Sequence, residues 1–255
     1  MKQLHQALLG FLGLAAATVA TPALASEPNT APDSGPGWLI TYSGVDFAKD
    51  SNYFYTGALV SLNRDFSRSG PVLQLYSGYA AYEYANPSVA GGIVDGDGTQ
   101  LSGMLGYLFI QPGVTVGIYG GVDWQNYDLT PNDPSNKVRG SEAGARFGGD
   151  IRMRGPRHYA SLEGYYSTAF DSYWARGRVG ANMGRFILGP EGTALGSDGW
   201  DAQRAGAFMM TKLYLSPQSP VELTISGGYQ FTGNTGGGSS GGEGAYGSLG
   251  ISFGF

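Results

Sequence analysis

Not one of the 255 residues is a cysteine. Disulfides and thiolate metal sites are therefore excluded, and an exported chain of this size must be held together by other means. Charge is scarce too, at 14% of residues, and the net charge of -5 offers no basic footprint for nucleic acid. Long apolar runs are missing beyond the first residues: no stretch of about 18 or more follows, which excludes an α-helical membrane protein. Histidine is nearly absent, with only His5 and His158. That leaves little material for general acid–base chemistry.

The N-terminus carries an export address. Lys2 precedes an apolar run from Leu8 to Ala20, then Ala23-Leu24-Ala25 forms a small-x-small cleavage pattern. A signal peptide over residues 1–25 is expected, and removing Lys2 with it moves the formal charge from -5 to -6. Residues 26–36, with Pro28, Pro32 and Pro36, read as a flexible periplasmic lead-in. His158 is then the single histidine of the mature chain.

What the chain has in excess is glycine, 44 residues, and aromatic side chains, 13%. Both suit a closed sheet in lipid, where glycines let tilted strands curve and aromatics serve at the interfaces. Period-two alternation marks about twelve segments, near 37–47, 51–63, 71–84, 98–110, 113–126, 138–153, 156–169, 171–183, 185–198, 199–215, 219–232 and 243–255. The expected fold is all-β: a transmembrane antiparallel up-and-down β-barrel spanning 37–255, in the bacterial outer membrane. Gly189-Pro190-Glu191-Gly192 interrupts the ninth segment and leaves a count of ten open. Short spacers around Arg64 to Gly70, Gln111-Pro112, Gly155-Pro156, Gly184 and Ser216 to Pro220 should face the periplasm. Long spacers at 85–97, 127–137 and 233–242 should face outward.

The last strand has one greasy face, with Leu249, Ile251, Phe253 and Phe255, and one small or polar face. Such an ending resembles that of outer-membrane barrels, and implies that Ile251, Phe253 and Phe255 form a C-terminal signal for a barrel assembly machinery. Facing elsewhere follows from charge, because Arg or Lys at lipid mid-depth costs about 2 to 4 kcal/mol. In 138–153, Glu142, Arg146, Asp150 and Arg152 share one parity, opposite Ala143, Ala145, Phe147, Ile151 and Met153. In 219–232, Glu222, Thr224, Ser226 and Gln230 face inward. A polar lumen follows.

Inward charge gathers at Glu142, Arg146, Asp150, Glu163, Arg176, Arg178, Arg204 and Lys212. Counting back through the turns predicts an Arg146, Glu163, Arg178 ladder across three strands. It reads either as structural pegging of a narrow barrel or as a charged constriction on a solute path. Inward aromatics form a second set: Tyr76, Tyr82, Tyr119, Tyr159, Tyr165, Trp174, Phe208 and Tyr246. Of these Tyr76, Tyr82, Tyr119, Tyr165 and Trp174 are candidates for stacking on glycan rings, with lumen filler as the plainer reading. Tyr79, Trp124 and Tyr166 face lipid as girdle residues.

Other signals fail. His158 lies beside the turn Arg154-Gly155-Pro156-Arg157, at the wrong end and on the wrong face for a barrel hydrolase. Asp95-Gly96-Asp97-Gly98 is half a calcium loop without its later acidic ligand and reads as a turn. Gly236 to Gly244 lacks the Gly-Lys-Ser/Thr ending of a phosphate loop and reads as a mobile outer loop. No catalytic residue, metal site or cofactor is expected.

One segment is more specific than barrel texture. It runs Ser43-Gly44-Val45-Asp46-Phe47, then Asp50-Ser51-Asn52-Tyr53-Phe54-Tyr55-Thr56-Gly57-Ala58, through Leu62-Asn63-Arg64-Asp65, to Gly78-Tyr79-Ala80-Ala81-Tyr82-Glu83-Tyr84. This progression resembles the BcsS-type cellulose biosynthesis proteins of Gram-negative bacteria, most closely over about residues 38 to 84. The resemblance implies a non-enzymatic outer-membrane accessory of cellulose production. Its implied partners are outer-membrane lipid, the barrel assembly machinery, and cellulose or components of the cellulose synthase complex. Three functions stand open: an accessory of glucan export or surface anchoring, a porin-like small-solute channel, and, least supported, an outer-membrane hydrolase.

Overall fold

A computed structural model of the chain describes residues 37–216, 219–232 and 242–255. The expected leader and lead-in, and all but the last residue of the spacer at 233–242, lie outside the described residues. Twelve strands follow one another: β1 (Leu39–Ala48), β2 (Ser51–Ser61), β3 (Gly70–Ala85), β4 (Ile93–Gln111), β5 (Val114–Thr130), β6 (Gly140–Arg154), β7 (His158–Ser167), β8 (Ser172–Asn182), β9 (Phe186–Ser197), β10 (Trp200–Ser216), β11 (Ser219–Thr232) and β12 (Gly244–Gly254). Each pairs antiparallel with its neighbours, and β12 returns to β1, from Ile40 opposite Gly254 to Ala48 opposite Tyr246. Closure removes the open sheet edges that a bilayer core does not tolerate.

The even strand number puts Leu39 and Gly254 at one end of the barrel, here the terminal end. The other is the loop end. The connections at 112–113, 155–157 and 183–185 lie at the terminal end, and the longer ones at 86–92 and 131–139 at the loop end. The expected asymmetry is only partial. Tight turns at 49–50 and 198–199 also occupy the loop end, and the 62–69 connection at the terminal end is long.

Twelve strands, not ten, are present because β9 runs through Gly189-Pro190 and pairs on both sides. Proline lacks the N–H a ladder needs. Accordingly the β8–β9 register steps from Arg178 opposite Glu191 to Ala181 opposite Leu188, skipping both residues. The Asp95-Gly96-Asp97-Gly98 segment is likewise strand rather than turn, lying in β4 with Ile93 opposite Ala85. Its glycines have a steric purpose: the Tyr82 ring covers Gly96 and the Tyr127 ring covers Gly98, where a Cβ would collide.

Outward positions carry an apolar belt that includes Leu105, Ile118, Val122, Phe147, Leu162, Val179 and Ile225, all exposed. Trp124 and Tyr166 stand exposed on this face, while Tyr79 is half-buried and donates its hydroxyl to Asp97. A closed barrel with an apolar outer belt and ion pairs inside is built for an outer membrane. Among the described residues no helix is long and apolar enough to cross a bilayer.

The expectation of a polar lumen is corrected in its terminal half. Ile40, Leu59, Val72, Met104 and Leu108 point inward and pack with Phe66 and Tyr119 into one buried cluster. Tyr159, Ile187, Phe208 and Met210 form a second. Phe66 comes from the 62–69 connection, which folds into the barrel as the Phe66 N–H donates to the Gly37 carbonyl at 2.9 Å. Asp65 shapes the bend by accepting the Ser67 backbone N–H at 2.8 Å and its hydroxyl at 2.6 Å. These two clusters fill part of the lumen at that end.

The facing of β12 is directly testable. Leu249 points to lipid and Ser248 to the lumen, whereas Ser252, 2% exposed, sits in the filled terminal half. Leu249→Arg should cost about 2 to 4 kcal/mol and abolish the folded, SDS-resistant band on a gel. Ser248→Asn should retain that band.

Candidate functional site

At several depths in the lumen, from Asp46–Arg204 toward the loop end to Arg154–Glu222 at the terminal end, charged side chains tie strands together. The guanidinium of Arg178 (β8) donates through Nε to Glu191 (β9) at 2.7 Å and through an NH2 group to Ser226 Oγ (β11) at 3.0 Å. Glu191 also accepts from Tyr246 (β12) at 2.8 Å, so one carboxylate joins four strands. Arg154 on β6 donates at 2.8 Å to Glu222 on β11, nearly opposite it around the wall. Arg176 donates to Glu163 at 2.7 and 2.9 Å, Arg204 to Asp46 at 3.2 Å, and Arg146 to Asp123 at 3.2 Å. Each of these arginines meets a carboxylate, which offsets the desolvation that makes a lone buried charge so costly.

The Arg146, Glu163, Arg178 ladder is not formed. Ala169–Asp171 make a 3-10 turn with Phe170 at φ 51°, so Ser167 faces Ser172 and Glu163 faces Arg176. Arg178 is thereby delivered to Glu191, and Arg146 turns the other way, to Asp123. Glu163 stands directly opposite Asp150, which accepts from Tyr119 at 2.8 Å. Glu142 is exposed near the loop end and takes no part. Sequence reasoning missed Asp123, although it shares inward parity with Gln125, and missed Glu191, hidden behind Gly189-Pro190.

Several of these pairs line a cavity of about 680 Å³ in the loop-end half. Tyr76, Tyr82, Tyr119, Tyr165 and Trp174 all line it, joined by Tyr42, Tyr53, Tyr55, Tyr84, Tyr127, Tyr173 and Trp200. Tyr159 and Phe208 belong to the apolar fill below. Tyrosines reach this density because many lie over a cross-strand glycine: Tyr42 over Gly57, Tyr53 over Gly78, Tyr119 over Gly106. A ring laid on the wall keeps the lumen free and presents its face. Tyr165 and Trp174 stack at 6.0 Å between centroids, and Tyr55 stacks on Tyr76 at 6.4 Å. Arg146 bridges the two aromatic walls, its guanidinium carbon 3.6 Å from the Tyr165 centroid and 5.0 Å from that of Tyr76.

The 131–139 loop crosses the rim. Asp133, 3% exposed, accepts from Tyr84 at 2.8 Å, Asn86 at 2.7 Å, and the Ser135 N–H and hydroxyl at 3.0 and 2.6 Å. These donors, Ser135 foremost, hold its carboxyl at about 2. On the far side Lys137 meets Asp198 of the 198–199 turn at 2.7 Å. The one histidine of the strands, His158, is exposed at the terminal end, away from the cavity. Among the described residues no group of His, Asp or Glu side chains is placed to hold a metal ion.

A family model described as "Cellulose biosynthesis protein BcsS" matches residues 40–255. No curated protein matches the chain. Among solved structures, the transport unit of the autotransporter AIDA-I from Escherichia coli is similar at 13% identity and a TM-score of 0.50, over 90% of this chain and 93% of that one. An outer-membrane channel from Pseudomonas putida F1 aligns at 11% identity and 0.49, over 93% and 100%. The KdgM porin aligns at 8% and 0.44, over 85% and 99%. These likenesses concern the barrel fold.

Two outcomes follow from the geometry. Glu191→Leu leaves Arg178 buried without its carboxylate and should cost about 3 to 5 kcal/mol in denaturant unfolding, whereas the double change with Arg178→Met should cost much less. Asp133 has a carboxyl lowered in the folded state, so its contribution is complete above its unfolded value of about 4 and is lost as pH falls through about 2. Amide protection over 131–139, the intrinsic exchange rate at each pH divided by the observed one, should therefore stay constant from neutral pH to about 4 and fall toward 2.

Proposed function

The chain belongs to the cellulose biosynthesis protein BcsS family, and from that premise we propose that it is a non-conducting accessory that holds glucan at the cell surface. The carrying observation is a lumen filled at its terminal half and hollowed at its loop end into an aromatic cavity. Outer-membrane barrels keep their short turns in the periplasm, so this cavity opens outward. A pyranose ring has flat C–H faces and a rim of hydroxyls. The stacked Tyr165–Trp174 and Tyr55–Tyr76 pairs suit the faces, and Gln74, Gln100, Gln125, Asn136 and Gln230 on the wall suit the rim.

The porin-like reading requires a continuous water path, and the buried, inward Ile40, Leu59, Phe66, Val72 and Leu108 count against one. The hydrolase reading requires a nucleophile and base near the rim, and the histidine stands at the other end. An accessory of anchoring fits the closed floor better than one of export.

In a cellulose-producing host, removal of the protein should release glucan from the cells while small-solute uptake is unchanged. Restoring it as Trp174→Ala should recover less than a tenth of the attachment, a loss of about 1.4 kcal/mol or more in binding. Intact attachment together with impaired solute uptake would remove this reading in favour of a channel.

A further inference from the structure

We propose that the cavity is an end-on socket for one terminus of a single, uncharged glucan chain. This rests on the anchoring reading and adds how the chain is held and which chains are refused. The shape of the cavity suits a chain end. The lining runs from Asn86, Ser135 and Asp198 at the rim to Tyr42, Met104, Tyr119 and Asp150 at the floor. From Tyr127 down to Tyr119 along β5, the tilted strand gives a depth of roughly 20 Å. Arg146, clamped between Tyr76 and Tyr165, spans the floor, and the two apolar clusters lie beneath. A polymer can thread a pore or lie along an open groove by any internal segment. A blind shaft admits only an end.

The charges on the wall suit a neutral chain. Every cation on the cavity wall is paired with a carboxylate: Arg146 with Asp123, Arg176 with Glu163, Arg204 with Asp46, and Lys137 with Asp198. The remaining wall carboxylates are engaged as well, Asp150 by Tyr119 and Asp133 by Tyr84, Asn86 and Ser135. An anionic chain entering this space would lose its hydration without meeting an uncommitted cation. A neutral polyol loses far less.

Two donors are left over as well. Arg146 is 2% exposed and lines the cavity, and its Nε–H has no hydrogen-bond partner among the described residues. The Trp200 indole N–H, on a residue that lines the upper wall, has none either. Both atoms are shielded by their neighbours, so hydroxyl oxygens of a bound chain meet them once those side chains shift aside.

The test uses the full barrel in detergent and a cello-oligosaccharide long enough to fill the cavity, followed by tryptophan fluorescence or calorimetry. Three forms are compared: unmodified, bearing a bulky fluorophore at the reducing end, and bearing it at the other end. An oligogalacturonate of equal length is the anionic control. The expected result is that the unmodified chain binds, one label weakens it about a hundredfold, the other changes it less than about threefold, and the uronate does not bind. If both labelled chains bind as well as the unmodified one, the end-on socket is wrong while the anchoring reading stands. If the uronate binds equally, the selection of uncharged chains is wrong. If the unmodified chain itself fails to bind, the anchoring reading falls and the socket with it.

Discussion

A lumen enclosed by twelve strands is narrow, and inward side chains decide whether any part of it stays open. Here the deciding interaction is a tyrosine ring laid over a cross-strand glycine. Where such pairs line the wall, at Tyr42–Gly57, Tyr53–Gly78, Tyr82–Gly96 and Tyr127–Gly98, the rings lie along it and a cavity of about 680 Å³ remains. Where inward positions carry Ile40, Leu59, Val72, Leu108, Phe208 and Met210, apolar side chains pack into the same bore. The high glycine and aromatic contents are thus two halves of one device. Removing the glycine from any of these pairs would drive its ring into the cavity, so the open half depends on residues with no side chain.

Buried arginine–carboxylate pairs act as crossbars at several depths of the bore. They contribute modestly to net stability, because the attraction is set against desolvation. Their geometric effect is larger, since Glu191 gathers four strands and Arg154 reaches nearly across the bore to Glu222. The pairing also neutralises the interior. A solute meeting this surface encounters aromatic faces and amides rather than a field that selects one sign of ion.

Much of this architecture is legible in the sequence, and the failures have physical causes. Alternation places all twelve strands to within a few residues, because one face must be apolar and a charge on it is expensive; Glu222, Arg146 and Asp150 therefore reveal the inner parity by themselves. The same rule is silent at Ile40, Leu59 and Val72, where both faces are apolar and a lumen plug looks like a lipid belt. Phe66 lies in a connection, where no periodicity exists to read. Pair identities depend on turn length to the residue: the Ala169–Asp171 turn moves Glu163 from Arg178 to Arg176, a slip that strand pattern alone does not reveal. Glycine misled at Asp95-Gly96-Asp97-Gly98, since a residue chosen for space under a ring is indistinguishable from one chosen for a turn. The aromatic candidates Tyr76, Tyr82, Tyr119, Tyr165 and Trp174 do share one cavity, because parity plus a closed barrel leaves them nowhere else to converge.

A barrel filled at its terminal end and hollow at the other should not conduct, and single-channel recording in a planar bilayer reads this without intermediaries. The native barrel should give no stepwise conductance at moderate voltage, with steps emerging only when the plug is thinned, as in Phe66→Ala combined with Leu59→Ala. Stable ohmic steps from the native protein, sensitive to Arg146 or Arg178 replacement, would contradict it and make the ion pairs a filter.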